Sequence, residues 1–179
     1  MIVNEKALVS AMKDSYKGGG YSVAFGSGQV FISGHSWSVW CAEDELPRKV
    51  LGMIAEHLGK IPKAGQAYRI CKAMGIQSQL FDEMVGGEQE IADKVHCGSR
   101  CTVTGLTING MDVWQNENGS ILLAHPDKEE MWVPASLCMA SDKWMGIRDE
   151  NSAVYITLEE VPYTIGAKLA YLEKFRWTA

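Results

Sequence analysis

Hydrophobic and polar positions in the first third of the chain follow two periods, which predict two helices with strands between them. An apolar stripe at helical spacing follows Asn4, a residue type that caps helices well, and a glycine run at residues 18–20 ends it. A second apolar stripe begins at Pro47 and ends at Gly59. Three carboxylates at residues 43–45 precede it, and negative charge there is favourable at the positive end of a helix dipole. The inward side of this second helix is predicted to consist of Pro47, Val50, Leu51, Ile54 and Leu58. Alternation with a period of two predicts strands between the helices at residues 21–25, 30–33 and 35–41.

The second half of the chain is rich in predicted strands. Asn109-Gly110 is the strongest hairpin signal, because both residue types accept the positive φ of a type I′ turn, and Asn118-Gly119 predicts another hairpin. The strands themselves are predicted at residues 101–108, 111–115, 121–124, 131–133 and 153–157. A last helix is predicted at residues 165–175, with its inward side formed by Leu169, Leu172 and Phe175.

These elements predict an α+β fold in three parts. Residues 1–62 form an N-terminal helix-hairpin-strand-helix unit, and residues 100–179 form a mostly antiparallel, β-rich unit with a terminal helix. Residues 63–99 have a weaker pattern and are predicted to be a connector with short elements. Those elements are a strand at 67–71, a short helix at 77–85 and a polar link after Gly86-Gly87.

Charge and composition exclude several classes of protein. The 179 residues include 17 basic and 22 acidic side chains, and a net charge of −5 argues against tight binding to free DNA, which requires a basic face. No apolar run approaches the roughly 18 residues that span a membrane, so no membrane partner is expected. Five cysteines at irregular spacing, with no signal peptide ahead of them, predict free thiols and a cytoplasmic location.

No catalytic, metal-binding or nucleotide-binding signature in the chain is complete. A structural zinc site needs two close pairs of Cys or His, whereas His96, Cys97 and Cys101 have no second pair near them and Cys138 is distant. Cys41 precedes a helix N-terminus, but the carboxylates that follow it disfavour a thiolate, so a position in the core is expected. The sequence therefore predicts no catalytic residue, no metal and no cofactor.

Tryptophan and methionine stand out in this composition. The six Trp and nine Met suit protein interfaces, although both residue types also fill cores. Trp132 and Trp144 flank a loop-rich segment at residues 134–139, with Met131, Met139 and Met145 close by and a run of acidic residues beside it. We predict a partner-binding surface there, in which aromatic side chains supply affinity and carboxylates steer association. Its residues are Met131, Trp132, Trp144, Met145, Asp127, Glu129 and Glu130.

Two segments of the first third, residues 4–23 and 46–62, resemble small proteins of phages and integrated elements in gut Firmicutes. Some proteins of that size and setting are anti-CRISPR proteins, which bind a type II CRISPR effector nuclease or its guide complex and block DNA recognition or cleavage. The resemblance contains no functional motif, so it implies a class of partner and no residue roles.

Three hypotheses about function follow. The first is a non-enzymatic protein-interaction module of phage type, an inhibitor of a bacterial CRISPR effector nuclease. The second is a small cytoplasmic enzyme whose site forms only in three dimensions, with His35, Cys41, His57 or the segment 96–101 taking part. The third is a structural or assembly factor of a mobile element. An interaction module should present an aromatic contact surface, whereas an enzyme should have a cleft with clustered perturbed groups.

Overall fold

One antiparallel sheet of eleven strands forms the centre of the protein in a computed structural model, which describes residues 2–132, 138–160 and 163–177. The helices of this part of the chain are α1 (Glu5–Lys17), α2 (Arg48–Leu58), α3 (Phe81–His96), α4 (Pro126–Glu129) and α5 (Tyr163–Leu172). The strands are β1 (Tyr21–Phe25), β2 (Gln29–Ser33), β3 (Trp37–Ala42), β4 (Gln66–Cys71), β5 (Gly75–Gln79), β6 (Ser99–Ile108), β7 (Met111–Asn116), β8 (Ile121–Ala124), β9 (Cys138–Ala140), β10 (Trp144–Arg148) and β11 (Ser152–Thr157). The predicted α+β class, with a β-rich C-terminal part, is confirmed.

The strand order is β5-β4-β1-β2-β3-β11-β10-β9-β6-β7-β8. Strand β3 of the N-terminal part pairs with β11 near the C-terminus, where Val39 lies opposite Val154. The sheet is therefore continuous across all three predicted parts of the chain. Whether those parts fold or act separately stays a prediction.

Helices cover both faces of the sheet. We call the side under α1 and α2 the front face; its core is the largest in the described residues and includes Leu8, Val39 and Ile54. We call the other side the back face. There α3 packs over Ala153 and Tyr155 of β11, and α5 packs over β7 and β8.

Local sequence signals account for the ends of several elements. The Asn4 side chain accepts hydrogen bonds from the backbone N–H groups of Lys6 and Ala7, as an N-cap does. Gly59 follows α2 in the left-handed conformation, with φ of 71°. Asn109 and Gly110 both have positive φ, which confirms the predicted turn between β6 and β7.

The middle of the chain differs from the prediction. Gly86 and Gly87 do not lie in a polar link but inside the 16-residue helix α3, and β5 occupies part of the predicted short helix. Glycine lowers helix propensity by about 1 kcal/mol relative to alanine, so the pair masked the signal. Packing against the sheet compensates, because Ala92 and Val95 of the same helix are buried.

Three further features differ from the prediction: the buried side of α2, the position of Phe175 and the predicted strand at residues 131–133. In α2, Met53 is buried while Leu51 is only half-buried, so the inward side is rotated from the predicted one. Phe175 lies beyond α5 and is 46% exposed, which makes its predicted inward position wrong. The predicted strand at residues 131–133 is reduced to an isolated bridge between Trp132 and Val3, and residue 133 lies outside the described residues.

None of the helices in the described ranges combines the length and apolar character that crossing a bilayer requires.

Candidate functional site

The short helix α4 positions the acidic residues that the sequence singled out. His125 caps it, since its Nδ1 accepts a hydrogen bond from the backbone N–H of Asp127. Lys128 fastens the helix to the end of β11, because its Nζ lies 2.6 Å from Glu159 Oε1 and 3.0 Å from Thr157 Oγ1. These contacts hold the backbone of α4 in place, and with it the carboxylates of Asp127 and Glu129 on either side of Lys128.

Met131 and Trp132 follow α4 and are buried, which corrects the expectation that they form an exposed surface. The exposed fraction is 1% for Met131 and 5% for Trp132. The Met131 carbonyl accepts a hydrogen bond of 2.8 Å from the Asn4 N–H, and Trp132 pairs with Val3 in a β-bridge. Their main role is to join the start of α1 to the front-face core.

Trp144 and Met145 lie on β10 and correct the same expectation in two ways. Met145 is fully buried in the front-face core. Trp144 is half-buried and packs on the back face, beside Tyr155 and Ala153. Neighbouring residues of a strand point to opposite faces, so Trp144 lies on the side of the sheet opposite Met145. Trp132 lies on the same side as Met145, and the two tryptophans are therefore on different faces.

A cavity of about 410 Å³ opens on the front face beside α4. Strand β7 contributes Asp112 and Trp114, which share a face because they are two residues apart. The complete lining is Asn4, Val103, Asp112, Trp114, Pro126, Glu129, Glu130 and Trp132. We call this the α4 cavity. It contains three of the seven predicted partner-binding residues, namely Glu129, Glu130 and Trp132.

Glu129 is the electrostatically perturbed group of the α4 cavity. Its Oε1 accepts a hydrogen bond of 2.7 Å from Trp114 Nε1. Burial raises the pKa of the Glu129 carboxyl to about 7, and the negative charge of Asp112 acts in the same direction, while the Trp114 hydrogen bond opposes both. Asp112 is thus close enough for its charge to disfavour ionisation of the Glu129 carboxyl.

The three carboxylates of the α4 cavity have no basic partner in the part of the chain that the structure describes. The ion pairs found there join other residues: Lys17 with Asp14, Lys49 with Glu5, Lys94 with Glu90, His125 with Asp127, and Lys128 with Glu159. An added cation would relieve the repulsion between the carboxylates, and the neighbouring indoles would offer it apolar contact and ring faces. The arrangement is therefore suited to a group that is both cationic and partly apolar.

A second cavity, of about 500 Å³, lies on the other side of α4, against α1. Asp127, Glu130 and Met131 line it together with Lys128. Asp127 is exposed, with 84% of its side chain accessible. Five of the seven predicted residues thus gather around α4, whereas Trp144 and Met145 line neither of the two cavities.

A third cavity, of about 560 Å³, lies at the end of β10 on the back face. It combines His96 and Arg148 with Asp149 and Glu150. Charges of both signs already meet there, and burial together with Arg148 lowers the pKa of His96. This cavity lacks the net charge that would define a ligand class.

Four of the thiols and imidazoles considered for chemistry, Cys41, His57, Cys101 and Cys138, take part in packing. Cys41 is buried, as expected, and burial together with Glu45 raises its thiol pKa to about 12. His57 stacks on Tyr16 with ring centroids 3.9 Å apart, and its Nδ1 lies 2.9 Å from the Tyr21 hydroxyl, which makes it a packing residue between α1, β1 and α2. Cys101 and Cys138 face each other across β6 and β9 and are both buried. Within the described residues, no group of three His, Cys, Asp or Glu side chains is arranged to hold a metal ion.

Sequence reasoning missed Asp112 and Trp114, the two residues that complete the α4 cavity. A signal was present, because alternation within the predicted strand at residues 111–115 puts a carboxylate and an indole on one face. That this face of β7 lies next to residues 129–132 could not be read from the sequence. It depends on the sheet register and on the contact of α4 with β11.

Comparisons of the chain with protein-family models, with curated proteins and with solved structures found no match.

Proposed function

We propose that this protein is a non-enzymatic interaction module that binds a basic protein partner at the α4 cavity. The observation that carries the proposal is the clustering of Asp112, Glu129 and Glu130 around two indoles, with no basic side chain of the described residues paired to them. An Arg or Lys side chain from a partner matches this site, because its alkyl stem contacts apolar surface while its charged head meets carboxylates.

The exposed acids add to the proposal. Asp127 lies outside the α4 cavity and is 84% exposed, and carboxylates at such positions raise association rates with positively charged surfaces more than they raise affinity. The net charge of −5 favours a basic protein surface over bare nucleic acid. A cytoplasmic location is part of the proposal, and five free cysteines are compatible with a reducing compartment.

For the partner itself, we propose the class implied by the resemblance of the first third of the chain, a CRISPR effector nuclease or its guide complex. Such nucleases have strongly positive nucleic-acid channels. An acidic module that occupies part of such a channel would block DNA recognition. The proposed binding site does not depend on the proposed partner class, because the α4 cavity could bind any basic protein.

The test is a binding titration of purified protein against a type II nuclease–guide complex, with free duplex DNA as a second ligand. The double variant Asp112→Asn/Glu130→Gln removes two charges from the α4 cavity. The matched control Asp142→Asn/Glu117→Gln removes two charges from exposed positions outside it. We expect the cavity variant to bind at least about tenfold more weakly and the control to lose only part of its association rate.

Equal losses in the two double variants would show that binding depends on net charge alone and would contradict a specific site. Tight binding to free duplex DNA would contradict the module itself. Failure to bind the nuclease–guide complex, combined with cavity-dependent capture of another basic protein, would reject only the partner class. Turnover of a small molecule at a His or Cys side chain would favour the enzyme alternative.

A further inference from the structure

Strand β5 forms one edge of the sheet and has a neighbour on only one side. It pairs with β4, from Cys71 opposite Gly75 to Ala67 opposite Gln79. All five of its residues are exposed. The outer side of β5 therefore presents backbone N–H and C=O groups that no other strand of the described residues engages.

The composition of β5 is unusual for an unprotected edge. Free edges are normally blunted by lysine, by other charges or by proline, because an unpaired strand recruits further strands. The β5 sequence Gly-Ile-Gln-Ser-Gln contains none of these. Large apolar side chains instead lie exposed in it and beside it: Met74 at 54%, Ile76 at 50% and Leu80 at 66%.

The segment is also complementary to itself in the antiparallel direction. When a second copy is aligned so that Gln77 faces Gln77, all five residues of each β5 are paired, with Ile76 opposite Ser78 and Gly75 opposite Gln79. The turn that contains Lys72 and Met74 of one copy then comes to the same end of the paired strands as Leu80 and Asp82 of the other. This brings exposed apolar side chains and opposite charges to each end of the contact, and the arrangement occurs twice across a two-fold axis.

The charged flanks are available for such a contact. Lys72 and Asp82 are both exposed, and neither belongs to an ion pair found in the described residues. Lys72 is in the turn before β5 and Asp82 is in the first turn of α3, so each lies just beyond one end of the strand. A register other than the one centred on Gln77 would leave part of β5 unpaired.

We propose that β5 pairs with β5 of a second copy of this chain, in antiparallel register about Gln77, to form a two-fold symmetric dimer with a sheet that continues through both copies. Backbone hydrogen bonds supply the attraction along the edge. The register centred on Gln77 is favoured because it pairs all five residues of each strand, and it brings Lys72 of each copy to the same end as Asp82 of the other. The dimer leaves both α4 cavities open, because β5 and β7 lie near opposite ends of the sheet.

The first test is sedimentation equilibrium from micromolar to millimolar concentration. We expect the protein to reach twice the 19.7 kDa of one chain. Ile76→Lys puts a charge on each edge strand and should convert the dimer to a monomer. The matched control Leu106→Lys changes an exposed apolar residue on β6, far along the sheet, and should leave the dimer intact.

The second test probes the register by cross-linking in a Cys97→Ser background, which removes the exposed native thiol. A short bismaleimide should join two copies of Gln77→Cys, because position 77 faces itself across the axis. Gln79→Cys should not cross-link with the same reagent, since the two copies of position 79 are four residues apart along the strands, about 13 Å.

A monomeric mass over the whole concentration range would overturn the proposal. A dimer that survives Ile76→Lys would overturn it too, provided that circular dichroism shows the variant folded. Cross-linking at position 79 in preference to position 77 would reject this register. These results do not depend on whether the protein binds a basic partner.

Discussion

Glu129 on α4 and Trp114 on β7 are joined by a hydrogen bond of 2.7 Å from the indole Nε1 to Oε1. The bond crosses 15 residues of sequence and connects the helix that carries the acidic run to the sheet that forms the floor of the α4 cavity. It also places a carboxyl group where burial disfavours its charge. The stability of the protein should therefore depend on the protonation of this one side chain.

The pH dependence of stability follows from the direction of that shift. The pKa of Glu129 rises from an ordinary value of 4.5 to about 7 in the folded protein. Between those two values the folded state keeps a proton that the unfolded chain releases. The contribution is fully present below pH 4.5 and is lost as the pH rises through about 7. We expect Glu129→Gln to flatten the melting temperature across this window and to raise it above pH 7, as measured by calorimetry. Asp142→Asn, at an exposed position outside the α4 cavity, is the control and should keep the fall in melting temperature between pH 4.5 and about 7.

The two tryptophans that the sequence placed on one surface should behave differently when truncated. Trp132 is buried in the front-face core, so Trp132→Ala should lower the free energy of unfolding by about 3–5 kcal/mol, as large core truncations do. Trp144 is half-buried on the back face, and Trp144→Ala should lower it by about 1–2 kcal/mol. Urea unfolding of both variants measures the difference. Similar small losses at both positions would mean that Trp132 is not packed as described.

The helix α2 offers a test of side-chain orientation. Ile54 is fully buried, and Ile54→Ala should lower the free energy of unfolding by about 2–5 kcal/mol. Leu51 is half-buried, so Leu51→Ala should lower the free energy of unfolding by clearly less than Ile54→Ala does. Glu56 is exposed on the same helix, and Glu56→Ala should change stability by less than about 0.5 kcal/mol. Denaturant melts of the three variants should follow that order, and a larger loss for Leu51 than for Ile54 would contradict the orientation of α2.

The five cysteines should differ sharply in reactivity. Cys97 is exposed, whereas Cys41, Cys71, Cys101 and Cys138 are buried. Burial also raises the thiol pKa of Cys41 and Cys101 to about 12, which suppresses the reactive thiolate. A thiol reagent should therefore modify one residue rapidly in the native protein and all five after unfolding. Cys97→Ser should abolish the rapid phase, and a rapid phase that survives this change would show that a buried thiol opens to solvent.

Local signals in the sequence were sufficient for many elements of the fold. Asn4, Gly59 and the Asn109-Gly110 pair act within a few residues of themselves, because capping and positive φ are properties of the local backbone. Helix α1, strand β1 and the β6–β7 hairpin were predictable for that reason. Helix α3 was not, since its two central glycines weaken a local signal that packing of Ala92 and Val95 restores.

The candidate site divides in the same way. The acidic run at residues 127–130 and the tryptophan-rich character of its surroundings are visible in the sequence, and they led to Glu129, Glu130 and Trp132. Which tryptophan is buried was decided by distant strands: Trp132 pairs with Val3, and Trp144 turns to the back face with the register of β10. The sequence by itself determined helix ends, turns and charge, because these depend on neighbours along the chain. Only the tertiary structure decided that Asp112 and Trp114 meet Glu129, since side-chain burial and pKa depend on what the sheet brings close from far away.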